Sequence, residues 1–269
     1  MVGAAVLLAL PVLTVFVTAL QPAGAVWRHL VDTVLADYLA NSLLLMLGVG
    51  IGTLLVGVPA AWLTGVCEFP GRRLFEWALL LPMAIPAYII AYTYTGLLDF
   101  AGPLQTALRE TFGWTRHDYW FPEVRSLPGA VAMLTLVLYP YVYLLARAAF
   151  LEQSAAVLEV SRSLGAGPWR RFLGVALPLA RPSLIAGVSL VQMEALADYG
   201  TVQYFSVGTF TTGIFRVWFG MNDATAAAQL ATLLLLFVFA LLVMERLSRR
   251  QARFHHTSAR QHRPPRVPL

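Results

Sequence analysis

Residues 151–182, LEQSAAVLEVSRSLGAGPWRRFLGVALPLARP, form a polar and basic island between two long apolar runs. Its pattern predicts a first short helix around Glu159 and a break at Gly165. Pro168 suits the first position of a second short helix, which we expect to end at Pro178. This pattern indicates a helix-turn-helix at a membrane surface.

The composition around this island is that of an integral membrane protein. Of the 269 residues, 58% are hydrophobic and only 12% are charged, and the mean hydropathy is +0.69. A soluble domain of this length needs far fewer apolar residues. The net charge of +5 does not indicate nucleic-acid binding, because the basic residues form short blocks beside apolar runs, where they orient a chain in the bilayer. We expect membrane lipid, and no nucleic acid, among its partners.

The inventory of reactive side chains excludes several chemistries. All 19 basic residues are Arg, so a Walker A loop, whose Lys reaches the terminal phosphates of ATP, cannot form in this chain. No Ser/His/Asp arrangement and no His-Glu-x-x-His pattern indicates an enzyme. His117 stands beside Asp118 without a second His for a metal site. We expect no catalytic residue, no bound cofactor and no metal ligand.

Apolar runs of spanning length occur about six times, since a helix needs about 20 residues to cross the hydrocarbon core. The predicted spans are 2–20, 38–66, 74–98, 127–150, 183–196 and 224–244. The predicted fold is therefore an all-α polytopic membrane protein in which the island joins the fourth and fifth spans. A signal peptide is the alternative for the first run, but no basic residue precedes that run and it exceeds a typical signal-peptide core.

The arginine blocks predict the orientation, because short loops rich in Arg stay cytoplasmic. Such blocks lie at Arg72 and Arg73, in the island, and in the tail beyond Arg246. With about six spans these blocks fall on one membrane face. We therefore expect both termini and the island in the cytoplasm.

Pro82 and Pro86 interrupt the third apolar run shortly before Tyr88. Each proline removes a backbone donor and disturbs the preceding turn, which predicts a bent or broken helix. Broken helices in transporters occur where the freed backbone faces protein or a water-filled cavity. Pro82, Pro86 and Tyr88 are therefore candidates for the wall of a transport pathway, and a kink used only for packing is the alternative.

Glu194, Asp198 and Tyr199 lie near the outer end of the fifth run. The i, i+4 spacing of the two acids predicts one shared helix face. Ionisable groups at membrane depth are costly and usually face a cavity or a partner, so all three residues are candidates for a pathway that suits a cation. The alternative is that Asp198 faces external water and Glu194 bonds a neighbouring helix.

The segment 99–126 mixes Trp114, Tyr119 and Trp120 with charges of both signs. Aromatic side chains are typical of headgroup depth, so we interpret the segment as an interfacial loop outside the cell. A docking surface for an external partner is the alternative hypothesis.

The second short helix of the island is amphipathic. Its apolar positions follow the spacing of one helix face, and they are Trp169, Phe172, Leu173, Ala176 and Leu177. A helix held on the lipid surface by its arginines is one interpretation. Glu159 and Arg162 can pair on the first helix, and glycines at 165 and 167 permit a tight reversal. Both features favour the alternative, a compact helical protrusion that fits a groove on another protein.

The island resembles the EAA loop of permease subunits in bacterial ABC importers. The family pattern reads Glu-Ala-Ala, then Gly, then Ile-x-Leu-Pro. The matching residues here are Glu159, Gly165, Leu177 and Pro178, and the conservative departures are Val160, Ser161 and Val175. The resemblance implies a permease in a bacterial inner membrane whose loop, including Trp169 and Phe172, sits in a groove of a separate ATPase dimer. ATP and Mg would then bind to that partner.

A second resemblance concerns the substrate. Residues 190–218 contain MEALADYGTVQYF from Met193 and TFTTGIFRVW from Thr209, and they are similar to permeases of ferric-iron importers, with thiamine and polyamine permeases as near relatives. The resemblance implies ferric iron delivered by a periplasmic or extracellular binding protein. A secondary transporter that works without ATP is the alternative from a different class, but it leaves the island unexplained.

A pathway between subunits needs a second permease unit. We expect residues 1–248 to form a single transmembrane permease domain that pairs with a copy of itself or with a second unit. The Arg- and Pro-rich residues 249–269 predict a cytoplasmic tail, or a truncated linker if the chain is the amino-terminal half of a fused permease.

Overall fold

The computed structural model describes residues 2–22, 24–152, 161, 163, 165, 167–251 and 267–268. Four helices in this part of the chain are long and apolar enough to cross a membrane, and a bent pair of helices brings the number to five if it counts as one span. The prediction of an all-α polytopic membrane protein is confirmed.

The helices follow one another with short connections. In chain order they are α1 (Val2–Ala19), α2 (Ala25–Thr33), α3 (Leu35–Val66), α4 (Arg72–Ala78), α5 (Ala87–Leu98), α6 (Pro103–Phe112), α7 (Leu127–Glu152), α8 (Pro168–Arg171), α9 (Leu177–Ala197), α10 (Gly200–Tyr204), α11 (Phe210–Phe215) and α12 (Ala224–Gln251). Two short strands, β1 (Cys67–Glu68) and β2 (Val267–Pro268), pair in parallel with Cys67 opposite Val267.

The predicted spans agree with the helices except at two places. The second, fourth and sixth runs correspond to α3, α7 and α12, all of spanning length. In α1 the shorter apolar stretch Ala9–Ala19 falls below that length, so the first span stays a prediction. The fifth span begins earlier than predicted and runs from Trp169 to Ala197.

The third run is broken, as its prolines predict. A 3₁₀ turn, Leu81–Ala84, separates α4 from α5, and the helical segments on either side of the break are bent by 98°. Ile85 has an extended backbone with φ −119° and ψ 128°, because the ring of Pro86 disfavours the helical conformation in the residue before it. The break is thus a local consequence of the sequence.

The second helix of the island does not end at Pro178, and this prediction is wrong. A π-helical turn, Phe172–Ala176, follows α8 and leads directly into α9, in which Pro182 is an interior residue. The Leu177 amide donates to the carbonyl of Phe172, five residues earlier. Membrane helices tolerate prolines where such local adjustments satisfy the freed backbone groups.

The chain divides into two compact units. The first unit contains Met1–Gly48, Ala87–Val131 and Ala195–Leu241, and the second contains Val49–Pro86, Ala132–Glu194 and Leu242–Leu269. In the first unit, α2, α11 and α12 share a core built around Leu30, Phe210 and Leu230. A single domain over residues 1–248 stays a prediction.

Helix α7 is the centre of the second unit, and glycines let its neighbours approach it. A Cβ added to Gly57 of α3 would lie 3.0 Å from the Tyr139 carbonyl oxygen and 3.1 Å from the Tyr143 amide nitrogen. A Cβ added to Gly187 of α9 would lie 3.1 Å from the Val142 Cα. Gly57 thus gives α3 a close packing surface against α7.

Gly57→Val should therefore destabilise the protein. The new side chain would meet backbone atoms of α7 that cannot rotate away, and overpacking of this kind costs about 1–3 kcal/mol. Thermal unfolding of the detergent-purified chain measures the effect. Gly96→Val in α5 is the matched control, because nothing lies within 4 Å of a Cβ at Gly96; equal destabilisation by both variants would contradict the packing role of Gly57.

Candidate functional site

The turn of the island is built on Gly165. Its φ is +77°, in the left-handed region that glycine adopts without steric cost. Ser161, four residues earlier, is helical and buried. Glu159 and Val160, the first two residues of the candidate coupling loop, lie outside the described residues. Gly165 therefore has the backbone conformation that the predicted reversal requires, and the reversal itself stays a prediction because residues 164 and 166 lie outside the described residues.

The apolar face predicted for the second helix is divided in two. Phe172 and Ala176 are buried, whereas Trp169 is 76% exposed and Leu173 is 56% exposed. Trp169 and Leu173 are four residues apart, as are Phe172 and Ala176, so each pair forms its own row along the helix. Leu177 and Pro178 are half-buried. One row of side chains thus packs inward, and Trp169 and Leu173 form an exposed apolar pair.

Phe172 packs into an aromatic cluster with Trp62 of α3 and Phe150 of α7. Its ring centroid lies 5.1 Å from that of Trp62 and 6.3 Å from that of Phe150, and Trp62 meets Phe150 edge-on at 5.4 Å. Aromatic pairs in such geometry contribute about 0.5–1.5 kcal/mol each beyond the area they bury. The start of the fifth span therefore packs against α3 and α7 through the aromatic cluster.

A charge cluster lies next to the aromatic cluster along α7. The Glu76 carboxylate of α4 accepts hydrogen bonds from Arg72 and forms an ion pair with Arg147 of α7 at 3.0 Å. The Tyr143 hydroxyl donates to the Glu76 carbonyl oxygen at 3.1 Å, and the Thr64 hydroxyl donates to the Tyr143 hydroxyl at 3.1 Å. Because Arg147 and Phe150 are three residues apart, they share one side of α7. The charge cluster therefore links α3, α4 and α7.

These contacts join the second helix of the island to the membrane spans. That helix is continuous with α9. The aromatic cluster joins it to α3 and α7, and the charge cluster joins α7 to α4, the first part of the broken third run.

The sequence interpretation did not identify Trp62, Phe150, Glu76 or Arg147. A signal existed for Glu76 and Arg147, because an ionisable residue within an apolar run usually has a partner inside the protein. Trp62 and Phe150 carry no such signal, since aromatic side chains are common in apolar helices.

The candidate pathway prolines and tyrosine fall in both units. Pro82 is half-buried and Pro86 is exposed at the break in the second unit. Tyr88 begins the first turn of α5 in the first unit and is 55% exposed. A Cβ added to Gly200 would lie 2.9 Å from the Tyr88 Cβ, so Tyr88 packs closely over the start of α10.

The two acids do not share a helix face, because α9 ends at Ala197. Asp198 accepts hydrogen bonds from the Thr201 hydroxyl at 3.0 Å and from the Val202 amide at 3.1 Å. Its carboxylate thus caps the start of α10. Tyr199 stacks on Phe215 with ring centroids 3.9 Å apart. Glu194 is exposed on α9 in the second unit.

Residues 54–253 match the model of a protein family described as binding-protein-dependent transport system inner membrane component. An Fe(3+)-transport system permease protein of Haemophilus influenzae is 30% identical over 209 residues, 76% of this chain and 37% of that protein. The chain therefore spans little more than a third of that relative's length. A molybdenum transport system permease protein of Escherichia coli is 28% identical over 200 residues, 72% of this chain and 84% of that protein.

Two solved structures show the same fold. A bacterial alginate ABC transporter in complex with an alginate-bound periplasmic protein contains a chain that matches with a TM-score of 0.73 at 15% identity, over 94% of both chains. The MetNI methionine ABC transporter, in an inward-facing conformation, contains a chain that matches with a TM-score of 0.62 at 20% identity, over 81% of this chain and 96% of that chain.

Proposed function

We propose, from the premise that this chain belongs to the family of binding-protein-dependent transport system inner membrane components, that it is a permease subunit of an ATP-binding-cassette importer. The observation that carries the proposal is the continuous helix from Trp169 to Ala197, which connects the island to a span without a flexible joint. Because a Walker A lysine is absent from the sequence, ATP hydrolysis belongs to a separate subunit.

The exposed pair Trp169 and Leu173 is the surface that the ATPase contacts in this proposal. Phe172, whose ring centroid lies 6.3 Å from that of Trp169, is buried in the aromatic cluster. Closure of an ATPase dimer around ATP displaces the island, and the spans move between an outward-open and an inward-open arrangement. The partner drives this change only through its different affinity for the two arrangements. A substrate-binding protein outside and a second permease unit, either a copy or a fused half, complete the assembly.

Copurification with an ATPase tests the proposal. The full chain, coexpressed with a candidate partner ATPase, should retain that subunit in detergent, and Trp169→Ala with Leu173→Ala should release it. Arg181→Ala is the matched control, because Arg181 is exposed on the same helix, eight residues after Leu173. An ATPase that is retained by the double variant and lost with the control would contradict the proposed contact, and uptake without any ATPase would favour a secondary transporter.

Ferric iron is the substrate that we propose. A permease named for Fe(3+) transport is 30% identical to the chain, and the exposed Glu194 carboxylate suits a cation. Molybdate is the second candidate, since permeases named for molybdenum transport are 28% identical. Uptake by the assembled importer in proteoliposomes tests the assignment. Uptake of radioactive iron should exceed uptake of molybdate, and the reverse result would overturn the assignment. Competition of thiamine and polyamines with iron uptake separates the two metal substrates from these organic ones.

Glu194 and Asp198 should differ in their effects on uptake. Glu194→Gln should lower iron uptake without loss of stability, because it removes a charge from an exposed position. Asp198→Asn should retain uptake, because asparagine also caps a helix, whereas Asp198→Ala should cost about 0.5–2 kcal/mol of stability. Uptake and thermal unfolding measure the two effects. Normal uptake in Glu194→Gln would remove Glu194 from the pathway, and loss of uptake in Asp198→Asn would mean that the Asp198 charge itself is required.

A further inference from the structure

Two polar side chains of α6, Gln105 and Arg109, point inward. Gln105 is only 5% exposed; its amide nitrogen donates to the Leu98 carbonyl at 2.7 Å, and its amide oxygen accepts from the Tyr119 hydroxyl at 2.7 Å. One turn further on, Arg109 donates to the Tyr119 hydroxyl at 3.0 Å and to the Phe100 carbonyl at 2.8 Å. The polar groups of this face are thus satisfied within the segment itself.

The guanidinium of Arg109 is enclosed by further contacts. It also donates to the Thr106 hydroxyl at 3.1 Å, and it lies 4.2 Å from the centroid of the Phe100 ring. Trp114 stacks against Phe112 at 4.6 Å and against Tyr119 at 5.7 Å. These contacts hold residues 100–119 together, a segment called the platform below, and they partly cover the guanidinium of Arg109.

Apolar side chains are exposed on α6 beside the exposed Glu110 and Thr111. Leu104 is 40% exposed, Phe112 is 58% exposed and Leu108 is half-buried, and their i, i+4, i+8 spacing forms one stripe. Trp120 directly follows Tyr119, whose hydroxyl the platform holds, and is 85% exposed. The platform therefore presents apolar and aromatic groups to its surroundings.

The position of α6 in the chain indicates what covers this stripe. Residues 99–102 alone connect it to α5. The ion pair of Arg125 with Asp99, at 3.3 Å, holds the end of α5 beside the start of α7, a helix long and apolar enough to cross a membrane. The ends of a spanning helix lie at the membrane–water interface, where Trp side chains are enriched. The stripe thus adjoins the start of a spanning helix.

We propose that α6 and Trp120 form an interfacial anchor, with the stripe of Leu104, Leu108 and Phe112 directed into the lipid of the membrane surface. Internal satisfaction of Gln105 and Arg109 permits the helix to lie at the boundary of headgroups and acyl chains. Glu110, on the flank of the helix away from the stripe, stays in contact with water. The anchor would fix the end of α5 at the membrane surface while other spans move.

Cysteine labelling in the full chain tests the anchor. The chain has a single cysteine, Cys67, which is buried, so Cys67→Ala provides a background without cysteine. Leu104→Cys, Phe112→Cys and the matched control Glu110→Cys are each labelled with bimane and reconstituted in phosphatidylcholine vesicles. These vesicles carry a nitroxide lipid whose quencher sits roughly 5–10 Å deep, the depth of an interfacial helix.

Bimane at positions 104 and 112 should lose most of its fluorescence to the nitroxide lipid and little to aqueous iodide, and bimane at 110 should show the opposite pattern. Iodide quenching at 104 and 112 equal to that at 110 would overturn the anchor. Protection of 104 and 112 from iodide that appears only after a soluble binding protein is added would overturn it too, in favour of a docking surface for that protein.

A second measurement needs no introduced cysteine. Brominated phosphatidylcholine quenches tryptophan at the membrane surface, and Trp120→Phe should remove a larger share of the quenched emission than Trp62→Phe, whose side chain packs in the aromatic cluster of the second unit. An equal loss of quenched emission in the two variants would contradict insertion of Trp120 into lipid. This comparison remains decisive if a cysteine variant fails to fold.

Discussion

Gly165→Leu should weaken the coupling between the ATPase and the membrane spans. The residue has a φ of +77°, and a side chain in the left-handed region costs roughly 1–2 kcal/mol. A cost of that size shifts the population of the reversed island by roughly 5–30-fold. We expect both substrate uptake and the ATP hydrolysis that the binding protein stimulates to fall in parallel. Proteoliposomes that contain the whole importer measure both quantities.

Gly167→Leu is the matched control for this experiment. Nothing lies within 4 Å of a Cβ at either glycine, and only Gly165 has a positive φ. Gly165→Asn should recover much of the activity, because asparagine tolerates the left-handed conformation better than other residues. Stimulated hydrolysis that survives in Gly165→Leu, or an equal defect in Gly167→Leu, would rule out the backbone of Gly165 as the cause.

Glu76→Gln should cause the largest loss of stability among the charge-cluster variants. The substitution leaves Arg72, whose side chain is 8% exposed, and Arg147 without the carboxylate that they share. Removing one member of a buried ion pair costs about 3–5 kcal/mol. The quarter-exposed side chains of Glu76 and Arg147 place the expected loss at the lower end, at about 3 kcal/mol. Thermal unfolding in detergent measures it, and transport should fall because α4 is no longer fastened to α7.

The double variant Glu76→Gln with Arg147→Met distinguishes a charge effect from a packing effect. Replacing both members of an ion pair is often nearly neutral, although Arg72 keeps only its 3.6 Å contact with Glu68. The double variant should therefore be more stable than Glu76→Gln alone. Arg73→Ala, at the exposed neighbouring position, should change stability by no more than about 0.5 kcal/mol. A double variant that is less stable than the single one would contradict the ion-pair explanation.

Much of the fold was predictable because it depends on properties of single residues. The apolar runs predict α3, α7 and α12, since any helix of that length and composition is stable in lipid. The break at Pro82 and Pro86 follows from a missing backbone donor and from the restricted residue before proline. The left-handed backbone of Gly165 likewise depends on the absence of a side chain.

Less of the candidate site was predictable because helix packing decides it. The 3.6-residue spacing placed Trp169 beside Phe172, and their rings do lie 6.3 Å apart, but Trp169 is exposed whereas Phe172 is buried against α3 and α7. The i, i+4 rule placed Asp198 on a helix with Glu194, but the helix ends first and Asp198 caps the next one. A periodicity argument holds only while the helix stays regular, and tertiary contacts determine where it changes.

Four features followed from the sequence, because each depends on local backbone chemistry or on a short motif: the membrane class, the broken third run, the glycine at the turn of the island and the resemblance to importer permeases. Three others were visible only in the folded chain: the helix of the island continues through Pro178 into α9, Phe172 packs on Trp62 and Phe150, and apolar side chains of α6 are exposed. These features depend on which helix faces meet, and that meeting is set by the packing of segments far apart in the chain.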